Sequence, residues 1–184
     1  MKTKVVLHHT ADSSAKPQYD KVWDYHNRGA PRADGTLKWP AGHGIQYPYF
    51  LERDGVIIKG RNEGETTWHS GKWLMNKMSI AICLAGDFTK QNPTREQIRS
   101  LKLVLTDIQK RRGISNKNVL LHREVKSTSC PGVDLRKFIV EDFPDDTLKK
   151  RIVQLQKAKE RAKPRRRRIL HRLLRRLLIR ESSS

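Results

Sequence analysis

The chain has 184 residues and a formal net charge of +20, from 39 Lys and Arg against 19 Asp and Glu. That length is enough for one core-bearing domain and an appendage. No stretch approaches the roughly 18 apolar residues of a membrane-spanning helix, and the opening MKTKVVLHHTAD lacks the apolar centre of a secretory signal, so a cytoplasmic site of synthesis and storage is expected.

In chain order, the first element is a β-branched run over 3–8 that ends at His8. Alternation along a strand sends His9 to the opposite face, so only one of the pair points to any common site. A helix is predicted over 17–27, with Pro17 near its first turn and Val22, Trp23 and His26 on one side. Residues 28–46 are rich in Gly, Pro and Arg and read as a long loop. Strands over 47–52 and 56–59 flank Arg53-Asp54-Gly55, where an Asp-Gly pair between apolar runs signals a hairpin. The run over 79–85 reads as a buried strand carrying Cys83 as a free thiol.

The clearest element is a helix over 94–112. Thr94 and Gln97 have the spacing of a capping box, and Gly113 suits the position after the last turn. Ile98, Leu101, Leu105 and Ile108 recur at three and four and form its core face. A last strand over 118–122 ends at His122, and a further helix starts at Asp134 with Leu135, Phe138 and Ile139. Strands mixed with helices without regular alternation predict a mixed α+β domain, with a central mixed β-sheet flanked by helices.

Beyond Pro144 the character changes. Residues 1–148 carry 24 basic and 17 acidic residues, whereas 149–184 carry 15 basic and 2 acidic. Residues 147–163 read as a solvated connecting helix, which Pro164 ends. In RRRRILHRLLRRLLIRESSS, Ile169, Leu173 and Leu177 step by four, as do Leu170, Leu174 and Leu178. Arg168, Arg172, Arg175, Arg176 and Arg180 take the remaining face, with His171 among them. The expectation is a catalytic domain over 1–146, a connector over 147–163 and a basic amphipathic helical tail over 164–184. Arg168, Leu170, Leu173, Leu174, Arg175, Leu177 and Leu178 are its membrane-binding candidates, for an anionic membrane or a lipopolysaccharide layer. Nucleic acid would use the arginines but leave the leucine pairs unexplained, so it is not expected as a partner.

His8, His122 and Cys130 make most sense together. Two imidazoles and one thiolate, delivered from two strand ends and a loop, form a three-ligand zinc set that leaves a fourth position open, as catalytic sites do. Cys130 is thereby assigned as a ligand and Cys83 as buried, so no disulfide is predicted.

The wider pattern resembles the zinc-dependent N-acetylmuramoyl-L-alanine amidases, the family of phage amidase-type lysozymes and peptidoglycan recognition proteins. VVLHHTAD, YPYFLERDGVIIKGR, WHSG with NKMSIAICLAGDF, TREQIRSLKLVLTDIQKRRG and LLHREVKSTSCPGVDL match it in order over roughly residues 3–140. The resemblance implies Zn2+ as cofactor and bacterial peptidoglycan as substrate, cut at the amide between N-acetylmuramic acid and L-alanine. It implies Tyr47 as a donor to the oxyanion, and His69 and Asn76 as cleft residues that contact the substrate. Phage lysozymes of this type carry lysine two residues before the cysteine ligand. This chain has Thr128, as recognition-protein amidases often do, which leaves activated water or Tyr47 as the alternatives for the acid. The function expected is a phage endolysin, monomeric, held in the host cytoplasm until it reaches the cell wall. A non-catalytic peptidoglycan-binding module and a cytoplasmic amidase recycling muropeptides are the alternatives. His26 and His43 are read as ordinary.

Overall fold

The computed structural model describes residues 1–139, apart from Ala30, Lys38 and Pro40. The connector expected over 147–163 and the tail over 164–184, including Arg168, Leu170, Leu173, Leu174, Arg175, Leu177 and Leu178, lie outside the described residues.

The elements run β1 (Lys4–His9), α1 (Tyr19–Asn27), β2 (Tyr49–Leu51), β3 (Ile57–Lys59), α2 (Trp73–Met78), β4 (Ser79–Leu84), α3 (Arg95–Arg112), β5 (Val119–Leu121) and α4 (His122–Val125). They build one five-stranded sheet in the order β3-β2-β4-β1-β5. β1 pairs in parallel with β4 and β5, β2 pairs in parallel with β4, and only the β2–β3 hairpin is antiparallel. The class is therefore mixed α+β with a central mixed sheet, as the sequence predicts. Every residue of β4 is buried, which suits a central parallel strand covered on both faces and accounts for its unbroken apolar run.

α3 forms as the sequence indicates. Thr94 Oγ1 accepts the Gln97 N–H at 3.1 Å, Gln97 Oε1 accepts the Thr94 N–H at 3.1 Å, and Gly113 ends the helix at φ 66°. Ile98, Leu101, Val104, Leu105 and Ile108 face the core. The buried Gln97 also donates to the Ala85 carbonyl at 2.7 Å, and Ser100 donates to the Gly55 carbonyl at 2.6 Å, so the helix is bolted to β4 and to the hairpin turn. Its far end is held by Glu63, a buried carboxylate that accepts from Arg111 at 2.7 Å and Arg112 at 2.9 Å. Tyr49 donates its phenol proton to the same carboxylate.

Three sequence expectations change in detail, and one element is added. The strand predicted over 47–52 is reduced to Tyr49–Leu51, since Pro48 has no N–H to give the ladder. His122 opens the short helix α4 instead of ending β5. The helix expected from Asp134 is, among the described residues, a single 3-10 turn over Lys137–Ile139. α2 was not predicted: it is one and a half turns long, and it exposes Trp73 and Leu74, so it shows no apolar periodicity.

Candidate metal centre

Register brings the histidines together. Leu7 lies opposite Leu121 in the parallel β1–β5 pair, so the next residues, His8 near the end of β1 and His122 at the start of α4, stand side by side. Their ring centroids are 4.4 Å apart. Sites in open α/β sheets gather at these carboxyl ends because the loops there diverge and open a crevice.

Cys130 arrives from the loop after α4. Arg123 N–H donates to the Cys130 carbonyl at 2.8 Å, and Cys130 N–H donates to Thr128 Oγ1 at 3.3 Å. The sulfur accepts the His9 N–H at 3.4 Å and stands 3.9 Å from His8 Nδ1. One donor atom from each of His8, His122 and Cys130 lies within 4.8 Å of the others. Donors around a tetrahedral zinc ion stand roughly 3.3–3.7 Å apart, given ~2.0 Å Zn–N and ~2.3 Å Zn–S bonds, so the cluster needs only a small contraction.

The electrostatics suit a cation. Burial, followed by the neighbouring imidazoles of His69 and His122, pushes His8 well below 6.5, and burial also lowers His122 against its hydrogen bond to Ser70. Both rings are therefore neutral and offer lone pairs at ordinary pH. Burial raises the Cys130 thiol to about 11, against the His9 N–H and the Arg123 charge. A metal cation would reverse that, because coordination favours the thiolate directly. His9 is turned away, with Nδ1 accepting the Phe88 N–H at 3.0 Å.

The run Trp68-His69-Ser70-Gly71 lies against both histidines. His69 Nδ1 is 3.0 Å from His8 Nε2, and the Ser70 carbonyl is 3.3 Å from His122 Nε2. Asn76 Oδ1 holds this turn by accepting from the N–H groups of His69 at 3.2 Å and Ser70 at 2.9 Å, and from Ser70 Oγ at 2.7 Å. His69 and Asn76 were expected to contact substrate. Both side chains are buried, and both His69 ring nitrogens and the Asn76 carbonyl oxygen are engaged inside the protein. Sequence reasoning missed this supporting role, for which no spacing signal exists.

Tyr47 lies next to the cluster, 5.4 Å from the His8 ring centroid to centroid. Its other side meets His26 at 5.1 Å, edge to face, so His26 packs the tyrosine. Burial, then the Cys83 and Cys130 thiols, raise the Tyr47 phenol well above 10 and keep its proton on. Thr128 is half-buried beside Cys130, and His43 is exposed.

A family model described as N-acetylmuramoyl-L-alanine amidase matches residues 2–133. Peptidoglycan-recognition protein SC2 of Drosophila melanogaster is 30% identical over 131 residues, covering 71% of this chain and 68% of that protein. The endolysin of Escherichia phage T7 is 30% identical over 100 residues, covering 51% of this chain and 63% of that protein. Among solved structures, N-acetylmuramoyl-L-alanine amidase LysC from Clostridium intestinale URNW superposes with a TM-score of 0.60 at 25% identity, covering 74% of this chain and 82% of that one.

Proposed function

Because the chain belongs to the N-acetylmuramoyl-L-alanine amidase family, we propose that it is a zinc-dependent peptidoglycan hydrolase cutting the amide between N-acetylmuramic acid and L-alanine. The observation that carries this reading is the convergence of His8, His122 and Cys130 donors within 4.8 Å, beside the Tyr47 ring. Two neutral imidazoles and one sulfur able to become anionic fit zinc and leave a fourth position open. Zinc held there supplies Lewis acidity, which activates water near neutral pH and polarises an amide carbonyl.

The remaining work falls to the chain's own groups. Tyr47 keeps its phenolic proton and so can donate to the oxyanion that forms on the amide carbonyl. Thr128 uses an oxygen lone pair for the Cys130 N–H, which leaves its own O–H proton to give to substrate. No lysine stands at that position and Tyr47 holds its own proton, so with zinc bound by His8, His122 and Cys130 the leaving amine would take its proton from water.

In this reading the chain is a monomeric phage endolysin with a catalytic domain over 1–146, held in the host cytoplasm until it reaches the wall. Its relation to a phage endolysin supports that role. Among the described residues, no helix is long and apolar enough to cross a membrane. Residues 147–163 serve as the connector and 164–184 as the contact with an anionic membrane or lipopolysaccharide. Mass analysis of sacculi digested by the full-length protein tests bond and metal together. The expected products are stem peptides with a free L-alanine amino group and uncut glycan strands, with release stopped by a chelator. Glycan fragments, or release that a chelator leaves unchanged, would overturn the assignment.

A further inference from the structure

A chain of hydrogen bonds runs from α2 to His8, buried on both sides of His69. Ser79 Oγ touches the Met75 carbonyl oxygen and lies 3.0 Å from His69 Nε2, while His69 Nδ1 lies 3.0 Å from His8 Nε2. With both imidazoles neutral, the protons along it can be placed in one way only. A carbonyl oxygen only accepts, so the single hydroxyl proton of Ser79 goes to Met75. Ser79 Oγ then accepts, which requires the proton of neutral His69 on Nε2. His69 Nδ1 is therefore a bare lone pair, and His8 must donate to it from Nε2. That leaves His8 Nδ1 unprotonated, and it is Nδ1 that faces the Cys130 sulfur at 3.9 Å.

His122 obeys the same rule by a shorter route. Its Nε2 faces the Ser70 carbonyl, an acceptor only, so its proton is on Nε2 and its Nδ1 is free. Consecutive residues of one turn thus set both imidazoles, His69 through its side chain and Ser70 through its backbone.

We infer that His69 and Ser79 form a positioning relay that locks His8 in the Nε2–H tautomer and so prepares Nδ1 to bind a metal ion. This rests on the reading of His8, His122 and Cys130 as metal ligands, and it gives His69 a role other than touching substrate. An imidazole that binds metal through one nitrogen is commonly held by a hydrogen bond from the other, and loss of such a partner weakens metal binding by about ten- to a hundredfold. Here the partner is itself a histidine, whose own tautomer depends on Ser79.

Two measurements on the full-length protein test this. Long-range 1H–15N correlation spectra of the metal-free protein distinguish the two neutral tautomers of each imidazole. His8 and His69 are expected as Nε2–H. His8 found as Nδ1–H would overturn the relay, whatever the protein's affinity for metal. Titration with Zn2+ against a chromophoric chelator gives the second readout. His69→Leu should bind Zn2+ about ten- to a hundredfold more weakly than the parent. His69→Gln, whose side-chain oxygen can accept from His8, should recover part of that loss. Undiminished affinity in His69→Leu would sink the relay while leaving the ligands standing. If the parent binds no Zn2+, or Cys130→Ser binds it equally well, the ligand reading itself falls and takes this role with it.

Discussion

Gly60 lies so close against Tyr47 that a Cβ on it would stand 2.5 Å from the Tyr47 carbonyl oxygen and press into Ile45. The Gly60 N–H donates to the Pro48 carbonyl at 3.0 Å, extending the β2–β3 pairing past its last strand residue. The Gly-Arg that ends the hairpin run is therefore what lets the backbone bearing Tyr47 lie flat beside β3. Gly60→Ala should cost about 1–3 kcal/mol of stability, as overpacking usually does, and lower sacculus hydrolysis by displacing Tyr47. Gly64→Ala, where a Cβ meets nothing within 4 Å, is the neutral comparison. Urea unfolding curves of the two variants check this, and equal midpoints would refute it.

Tyr47→Phe removes one oxyanion donor and no metal donor. Turnover on sacculi should fall roughly a hundredfold, the usual cost of losing one such group, with zinc content unchanged. Unaltered turnover would show that another group, with Thr128 the nearest alternative, stabilises the oxyanion.

Cys130→Ser should abolish both zinc retention and hydrolysis, leaving Cys83 as the only thiol. Elemental analysis of the purified variant, and of the parent before and after dialysis against a chelator, checks this. Restoration of the parent's activity by added Zn2+ is expected, while an active, zinc-loaded Cys130→Ser protein would remove Cys130 from the ligand set.

Glu63 gives the fold an acid-labile clasp. Burial alone would raise its carboxyl, but hydrogen bonds from Arg111, Tyr49 and Arg112 and the Arg111 charge outweigh it and lower the pKa from 4.5 to about 2. A depressed folded-state pKa means stability that is fully present above 4.5 and lost as pH falls toward about 2. The gap is worth at most about 3 kcal/mol. Glu63→Gln should therefore unfold more easily than the parent at pH 7, with the difference shrinking between pH 4.5 and 2. A difference independent of pH would mean that the carboxylate charge contributes nothing.

A peptide of residues 164–184 should gain helical circular dichroism on anionic vesicles and not on zwitterionic ones, since each basic side chain near an anionic surface contributes about 1 kcal/mol. Truncation after Lys163 should spare sacculus hydrolysis while reducing lysis of intact cells from outside. Equal lysis by both forms would leave the tail without a role in crossing the envelope.

The sequence by itself determined most of the strands and α3 with its capping box, and it named His8, His122 and Cys130 as candidate donors, because each is written in local chemistry. Apolar runs bounded by turn residues mark β1 and β4, Thr94 and Gln97 mark a helix start, and ordered motifs single out His8, His122 and Cys130. Only the tertiary structure decided what His69, Ser70, Asn76 and Ser79 do. His69 and the Ser70 carbonyl meet histidines more than fifty residues away, and the tautomer that His69 and Ser79 impose on His8 depends on which atoms face one another across 3 Å, a relation that spacing along the chain does not encode. The shortening at Pro48 and the shift of His122 from strand to helix came from the same source. Periodicity marks the run that can pair, and the hydrogen bonds available in the folded sheet decide where pairing stops.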